Sequence, residues 1–261
     1  MKSSAPSLLA CRQLTLSVPE RVLCRGLSLA IAPGEIWAVL GRNGSGKTTL
    51  LHALAGIAPR PDGAIVLDGQ ALAAQAARDR AREIGLLLQH EEAEFWGTVL
   101  DFVLLGRYPH ASSWAGWRSD DEAAAERALA EMNLAAFARR RLASLSGGER
   151  QRARIAQVLA QAPRFFLLDE PLQHLDLVHQ IRTLALFRDL ARTGGRAVAM
   201  VLHDALWPAR YCTHALLLRD DGEPLAGPAR AVLTRPNLER LYGCGLTEVD
   251  AGEGSYFVPR V

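Results

Sequence analysis

Residues suited to binding phosphate surround the only internal lysine of the chain. Lysine occurs at Lys2 and Lys47 in a sequence of 261 residues, and every other basic position except histidine is arginine. Lys47 lies in GRNGSGKTT (Gly41 to Thr49), which fits the pattern G-x-x-x-x-G-K-[ST]. A compact ammonium can sit between two phosphate oxygens, whereas the planar guanidinium of arginine cannot. The segment therefore predicts a phosphate-binding loop rather than a solvated surface lysine.

Each part of this loop has an expected task. Its glycines let the backbone curl so that N–H groups point at phosphate oxygens, and the following helix adds the positive end of its dipole. The hydroxyl of Thr48 is placed to ligate Mg²⁺. The candidate nucleotide-binding residues of the loop are Gly41, Arg42, Asn43, Gly44, Ser45, Gly46, Lys47, Thr48 and Thr49.

Two adjacent carboxylates follow the apolar run FFLL. Asp169 is a candidate metal residue that holds the hydration shell of Mg²⁺, and Glu170 is a candidate base that positions or deprotonates an attacking water. An ordinary acidic loop after a strand is the alternative. The presence of the phosphate-binding loop in the same chain favours the catalytic interpretation.

A second glycine-containing segment, LSGGERQ (Leu145 to Gln151), predicts a second anion site. Ser146 and Glu149 fit the capping box S-x-x-E, and Gly147 and Gly148 expose bare N–H groups at the positive end of a helix. A well-capped helix without further function is the alternative. Because one phosphate loop suffices for the chain's own nucleotide, we expect this segment to serve a nucleotide held by another chain.

Short apolar runs predict the strands that position these groups. Runs that read as buried parallel strands are Trp37 to Leu40, Phe165 to Leu168 and Val198 to Leu202. Ligands bind beyond the carboxyl ends of parallel strands. We therefore expect Lys47, the pair Asp169 and Glu170, and His203 to meet at one edge of the sheet.

The whole chain reads as one α/β domain with an insertion. Strand-like runs before the phosphate loop predict an N-terminal antiparallel β region, and helix-favouring sequence follows Gln89. We divide residues 1–261 into an α/β catalytic core (1–88 and 164–235), a helical subdomain (89–163) and a C-terminal tail with little periodicity (236–261).

Composition narrows the class of protein. The formal charge of +2 gives no reason to expect nucleic acid as a partner. No run approaches the roughly 18 apolar residues of a membrane helix, and no signal peptide is visible, so we expect a soluble, cytoplasmic chain. The cysteines, expected as free thiols because they show no metal-binding spacing, are Cys11, Cys24, Cys212 and Cys244.

Together these segments resemble the ATP-binding subunits of ABC transporters. The phosphate loop, Gln89, LSGGERQ, FFLLDEP, HLD (His174 to Asp176) and His203 occur in the order typical of that family and span nearly the whole chain. The resemblance implies a P-loop NTPase core that binds ATP and Mg²⁺. It also implies that Gln89 touches Mg²⁺ and the membrane partner, that Asp176 lies at a dimer seam, and that His203 contacts the γ-phosphate.

Further segments are similar to importers of cobalamin, ferric siderophores and haem: LLGRYPH (Leu104 to His110), DLVHQ and LTRPNLERLYG. The resemblance implies an ATP-hydrolysing homodimer on the cytoplasmic face of the inner membrane, bound to permease subunits and served by a substrate-binding protein. A non-transport ABC ATPase, acting as a scaffold or as a regulatory module without turnover, is the alternative. The single cassette, GRYPH and intact Glu170 and His203 favour transport.

Two positions depart from the family pattern. Val18 stands where the family usually has an aromatic ring that stacks on adenine, so we expect weak discrimination among purine nucleotides. Leu172 stands where a threonine often follows DEP, which removes a hydroxyl close to Glu170.

Overall fold

A central six-stranded sheet organises the molecule. The computed structural model describes residues 8–19, 21–58, 61–89, 95–111, 116–250 and 255–260. The strands are β1 Leu9–Val18, β2 Arg21–Ile31, β3 Ile36–Gly41, β4 Asp62–Leu67, β5 Gln70–Ala71, β6 Ile84–Leu87, β7 Phe165–Leu168, β8 Ala197–Val201, β9 His214–Leu218, β10 Leu225–Pro228, β11 Leu246–Asp250 and β12 Ser255–Pro259. The order in the central sheet is β10-β9-β3-β8-β7-β6.

Helices cover the central sheet and form the insertion. The α-helices are α1 Lys47–Leu54, α2 Ala77–Glu83, α3 Val99–Leu104, α4 Ser119–Glu131, α5 Gly147–Gln161, α6 Leu177–Gly194, α7 Leu206–Tyr211, α8 Ala229–Val232 and α9 Arg235–Tyr242. Short 3₁₀ helices span Leu72–Ala74, Leu105–His110, Ala135–Phe137 and Leu142–Ser144. None of the helices in the described ranges is both long and apolar enough to cross a membrane.

The three strands predicted to carry the chemistry are neighbours in the sheet. β3 pairs in parallel with β8, and β8 pairs in parallel with β7. Their residues are buried on both faces, as the continuous apolar runs predicted. The carboxyl ends of these strands therefore lie side by side at one edge of the sheet.

Alternate residues of the sheet serve two separate cores. Trp37 and Val39 face a core shared with α1 and the N-terminal sheet. Ala38 and Leu40 face a larger core shared with the helical insertion and α9. This division follows from the period of two in a strand. The N-terminal sheet has the order β2-β1-β4-β5 with antiparallel pairing, so the predicted antiparallel β region is confirmed.

A buried ion pair fixes the GRYPH segment inside the helical insertion. The Arg107 Nε lies 3.0 Å from Asp121 Oδ1, and the two side chains are 14% and 6% exposed. Arg107 also donates to the carbonyl oxygen of Ala160 on α5. Burial works against ionisation of Asp121, but hydrogen bonds from Arg107 and from the N–H of Arg118 hold its pKa below the usual value. The contacts of Arg107 thus join the 3₁₀ helix Leu105–His110 to α4 and α5.

The C-terminal tail is more regular than its sequence pattern indicates. It contains most of α9 and the antiparallel hairpin β11–β12. Leu238 and Leu241 of α9 are buried at 0% and 3% exposure. Eight helical residues with two core positions are too few to give a visible period of 3.6, which explains the difference.

The cysteines are free thiols, as predicted. Cys11 and Cys24 are buried on neighbouring strands, and burial raises the pKa of each thiol to about 11. A thiol with such a pKa is a poor nucleophile at neutral pH.

Candidate active site

The phosphate loop connects β3 to α1. Gly44 and Gly46 have φ angles of 77° and 95°, which favour glycine. A Cβ at Gly46 would also lie 2.9 Å from the Cβ of Leu23, so a larger residue would strain the backbone and displace β2. The loop therefore requires glycine here for both conformation and space.

Lys47 lies across this loop in a buried position. Its Nζ donates to the carbonyl oxygens of Gly41 at 2.9 Å and Arg42 at 3.0 Å, and the residue is only 7% exposed. Burial lowers the pKa of Lys47, while the carboxylates of Glu170 and Asp169 oppose this effect. The ammonium is thus fixed next to the N–H groups that would meet phosphate.

Thr48 and Asp169 form an oxygen-lined corner suited to Mg²⁺. Thr48 Oγ1 donates to Asp169 Oδ2 at 2.6 Å, whereas the buried Asp169 Oδ1 has no hydrogen-bond partner. Burial and the nearby Glu170 raise the pKa of Asp169, and the Thr48 hydrogen bond opposes them. Mg²⁺ is commonly held by one or two carboxylates together with substrate phosphates. The oxygen donors present fit that ion.

The side chain of Glu170 contacts two other predicted site residues, His203 and Gln89. Its Oε2 lies 2.8 Å from His203 Nε2, and its Oε1 accepts a hydrogen bond from Gln89 Nε2 at 2.9 Å. Gln151 donates to the carbonyl oxygens of Glu170 and Pro171. Glu170 itself has a φ of 50°, which is uncommon for a residue with a side chain. The carboxylate is therefore held by its neighbours on both oxygens.

The LSGGERQ segment begins α5 with the predicted capping box. Ser146 Oγ accepts from the N–H of Glu149 at 3.3 Å, and Glu149 Oε2 accepts from the N–H of Ser146 at 2.8 Å. These hydrogen bonds lower the pKa of Glu149. The carbonyl oxygen of His174 lies 2.8 Å from where a Cβ at Gly148 would stand. The hydrogen bonds of Ser146 and Glu149 in the described residues do not reach the phosphate loop.

Asp176 lies two residues after His174 and immediately precedes α6. Its Oδ1 accepts a hydrogen bond from the N–H of His179 at 2.8 Å, which makes it the N-cap of the helix. Exposed apolar side chains follow on α6, namely Leu177, Val178 and Ile181. The expected position of Asp176 at a dimer seam stays a prediction.

A cavity of about 580 Å³ opens beside the phosphate loop. Its lining residues are Arg21, Gly41, Arg42, Asn43, His203, Asp220 and Tyr242. Asp220 accepts from Arg21 at 3.3 Å and from Arg42 at 3.0 Å. Val18 pairs with Arg21 at the end of β1 and is 43% exposed. The strand end that lacks an aromatic ring therefore lies next to this cavity.

Several residues at this edge were not predicted from the sequence. Asp220 follows the apolar strand β9, so the same strand-end pattern that indicated Asp169 could have found it. Arg21 carries no local signal. Tyr242 lies in LTRPNLERLYG, a segment for which the sequence predicted no role at the site. Leu172, the second departure from the family pattern, is 8% exposed and packs in the larger core.

The fold and this arrangement define an ABC-type ATPase. The sequence profile of the family described as "ABC transporter" matches residues 24–173. The chain therefore belongs to the ABC transporter family, and the predicted P-loop NTPase fold is confirmed.

Individual relatives refine this assignment. The chain is 38% identical over 238 residues to the ferric enterobactin transport ATP-binding protein FepC of Escherichia coli, which covers 91% of this chain and 88% of the relative. It is 41% identical over 264 residues to the hemin import ATP-binding protein HmuV of Burkholderia thailandensis, with 94% and 97% covered. A solved structure described as an inward-facing ABC transporter of metal-chelate type matches with a TM-score of 0.84, 33% identity and 98% of both chains covered.

Proposed function

We propose that the chain is the ATP-hydrolysing subunit that powers an importer of ferric siderophore, haem or cobalamin. The observation that carries the hydrolytic part is the position of Glu170 between Gln89 and His203, next to Thr48 and Asp169. The support for the cargo class is the likeness to FepC, HmuV and a cobalamin import ATP-binding protein of Halobacterium salinarum.

The side chains divide the work of hydrolysis among themselves. Lys47 and the loop N–H groups would bind the β- and γ-phosphates, and the Thr48 hydroxyl with Asp169 would hold Mg²⁺. When bound, Mg²⁺ neutralises charge on the phosphates. Glu170 orients the attacking water and takes its proton, while His203 donates a hydrogen bond to the γ-phosphate. In the structure Glu170 is engaged by His203 and Gln89, and we expect ATP to draw His203 towards the γ-phosphate and so leave the carboxylate more accessible to water.

The second anion site supports a homodimer. Gly147 and Gly148 open α5, where the helix N-terminus favours an anion, and Ser146 and Glu149 satisfy each other's N–H groups. We propose that Ser146, Gly147 and Gly148 of one copy cover the ATP on the phosphate loop of another. Size-exclusion chromatography of Glu170→Gln with ATP should then show a dimer that is absent without ATP. A permanent monomer in ATP would contradict this arrangement.

The helical insertion is the proposed contact with a membrane permease. Large exposed side chains there are Trp96 at 81%, Tyr108 at 74% and Leu105 at 42%. The backbone next to Tyr108 is held in place, because Arg78 and Arg82 of α2 both donate hydrogen bonds to the carbonyl oxygen of Pro109. The chain would thus lie on the cytoplasmic face of the inner membrane without crossing it.

Co-purification from membranes tests the importer role directly. We expect the tagged chain to bring down an integral permease, and a Tyr108→Ala/Trp96→Ala double variant to lose it while still hydrolysing ATP. Uptake of ferric siderophore, haem and cobalamin by cells with and without the chain would then assign the cargo. If the tagged chain purifies without any membrane protein, and if cells with and without the chain take up these compounds equally, the alternative of a non-transport ATPase would be favoured.

A further inference from the structure

The C-terminal helix α9 reaches the edge of the sheet that carries the candidate active site. Leu238 and Leu241 anchor α9 in the same core as the inner residues of β3 and β8. The next residue, Tyr242, lines the cavity together with His203 and Gly41 of the phosphate loop. A helix fixed by buried leucines therefore presents an aromatic residue to the site.

Tyr242 contacts the backbone of His203. Its hydroxyl donates to the carbonyl oxygen of His203 at 3.4 Å, which is long for such a bond. Other contacts fix the rest of this loop: the N–H of Leu202 donates to Val39, and Asp204 Oδ1 accepts from the N–H of Leu206. Tyr242 thus contacts the residue of this loop whose side chain pairs with Glu170.

The hydroxyl of Tyr242 remains a donor at neutral pH. Burial raises the pKa of Tyr242, and the charges of Asp204 and Cys244 add to the effect. The phenol is therefore protonated throughout the range in which the enzyme would work.

A second contact ties α9 to the phosphate loop. Arg240 donates to Asp221 Oδ2 at 2.8 Å, and the neighbouring Asp220 pairs with Arg42. The Arg240–Asp221 pair is exposed, so it contributes little free energy. Tyr242 therefore contacts one cavity-lining residue, His203, and Arg240 contacts the neighbour of another, Asp220.

We propose that α9 is part of the catalytic unit and that Tyr242 is a positioning residue that fixes His203 through its backbone. The proposal rests on the proposed function, in which His203 contacts the γ-phosphate. Loss of the hydroxyl loosens His203 but leaves Lys47 and the phosphate loop intact. Turnover should therefore suffer more than ATP binding.

Tyr242→Phe removes the hydroxyl and keeps the ring. We expect kcat for ATP hydrolysis to fall about threefold, which corresponds to the free energy of one weak hydrogen bond. KM should change by less than about twofold. Tyr211→Phe is the matched control. Tyr211 on α7 packs against Trp207 of the same helix and against Arg188 of α6. It is absent from the cavity lining and should keep the wild-type kcat.

A double-mutant cycle with His203→Ala separates positioning from other effects. Single-turnover phosphate release measures the slow variants. If Tyr242 acts through His203, Tyr242→Phe causes no further loss in the His203→Ala background. The proposal would be overturned if Tyr242→Phe lowered the rate of hydrolysis by the same factor in the wild-type and His203→Ala backgrounds. It would also be overturned if the single variant kept the wild-type kcat, or if it lost ATP affinity in place of turnover. Absence of hydrolysis by the wild type would contradict the proposed function itself, and with it this role for Tyr242.

Discussion

Glu170 and His203 face each other across the ends of two adjacent parallel strands, with 2.8 Å between Glu170 Oε2 and His203 Nε2. The same carboxylate accepts a hydrogen bond from Gln89 on its other oxygen. Glu170, proposed to act on the water, therefore contacts both His203, proposed to act on the γ-phosphate, and Gln89, proposed to touch the metal. We propose that ATP binding replaces the contact of His203 with Glu170 by a contact with phosphate, which would link nucleotide binding to a rearrangement of the site.

The two glycines that open α5 should respond differently to alanine. A Cβ at Gly148 would lie 2.8 Å from the carbonyl oxygen of His174, whereas at Gly147 the nearest atoms are 3.9 Å away. We expect Gly148→Ala to lower the free energy of unfolding by about 1–3 kcal/mol, because backbone must move. Thermal denaturation should show a drop of several degrees, roughly 2–4 °C per kcal/mol.

Gly147→Ala is the control for that experiment, since its added methyl group meets no close atom. Its melting temperature should stay near that of the wild type. Equal destabilisation by both substitutions would show that His174 does not pack against α5 as described.

Removal of one partner from the buried pair of Arg107 and Asp121 should destabilise the fold strongly. Asp121→Asn leaves the guanidinium of Arg107 buried without its counter-charge, so we expect a loss of about 3 kcal/mol in urea denaturation. Asp189→Asn is the matched control, because the Arg188–Asp189 pair is exposed at 49% and 53%. That change should cost less than about 1 kcal/mol.

The same pair predicts a pH dependence of stability. The pKa of Asp121 is lower in the folded chain than its usual value, so its charge stabilises the fold above the unfolded pKa of about 3.9. The difference in unfolding free energy between wild type and Asp121→Asn should stay constant from about pH 7 to 5 and narrow below about pH 4. A difference that instead grows on acidification would contradict the assigned pairing.

Nucleotide selectivity should reflect the missing ring at position 18. Because Val18 offers no aromatic face beside the cavity, we expect the wild type to bind ATP and GTP with similar affinity. Val18→Tyr should tighten ATP binding by about tenfold, since stacking of a base on an aromatic ring is worth roughly 1–3 kcal/mol. Titration with fluorescent ATP and GTP analogues measures both. A strong preference of the wild type for ATP would show that another side chain recognises adenine.

The sequence indicated which residues lie together where each residue directly follows a strand. Asp169, Glu170 and His203 come after uninterrupted apolar runs, and parallel pairing necessarily gathers such strand ends at one edge. The capping box of Ser146 and Glu149 was equally local, because both partners lie within one helical turn.

Contacts between distant segments could not be predicted in the same way. Arg107 and Asp121 pair across two helices, and Tyr242 meets His203 from a segment 39 residues further along. Neither pair has a spacing that a local pattern would single out. α9 is also too short for a helical period to stand out, although its two leucines hold it in the core.

Phosphate release by Glu170→Gln tests the central claim most directly. The substitution keeps the size of the side chain and removes the carboxylate that is held between His203 and Gln89. We expect ATP affinity to be retained while the rate of Mg²⁺-dependent phosphate release falls by about 100-fold or more, as for loss of a general base. Wild-type and Glu170→Gln chains that release phosphate at equal rates would contradict the account.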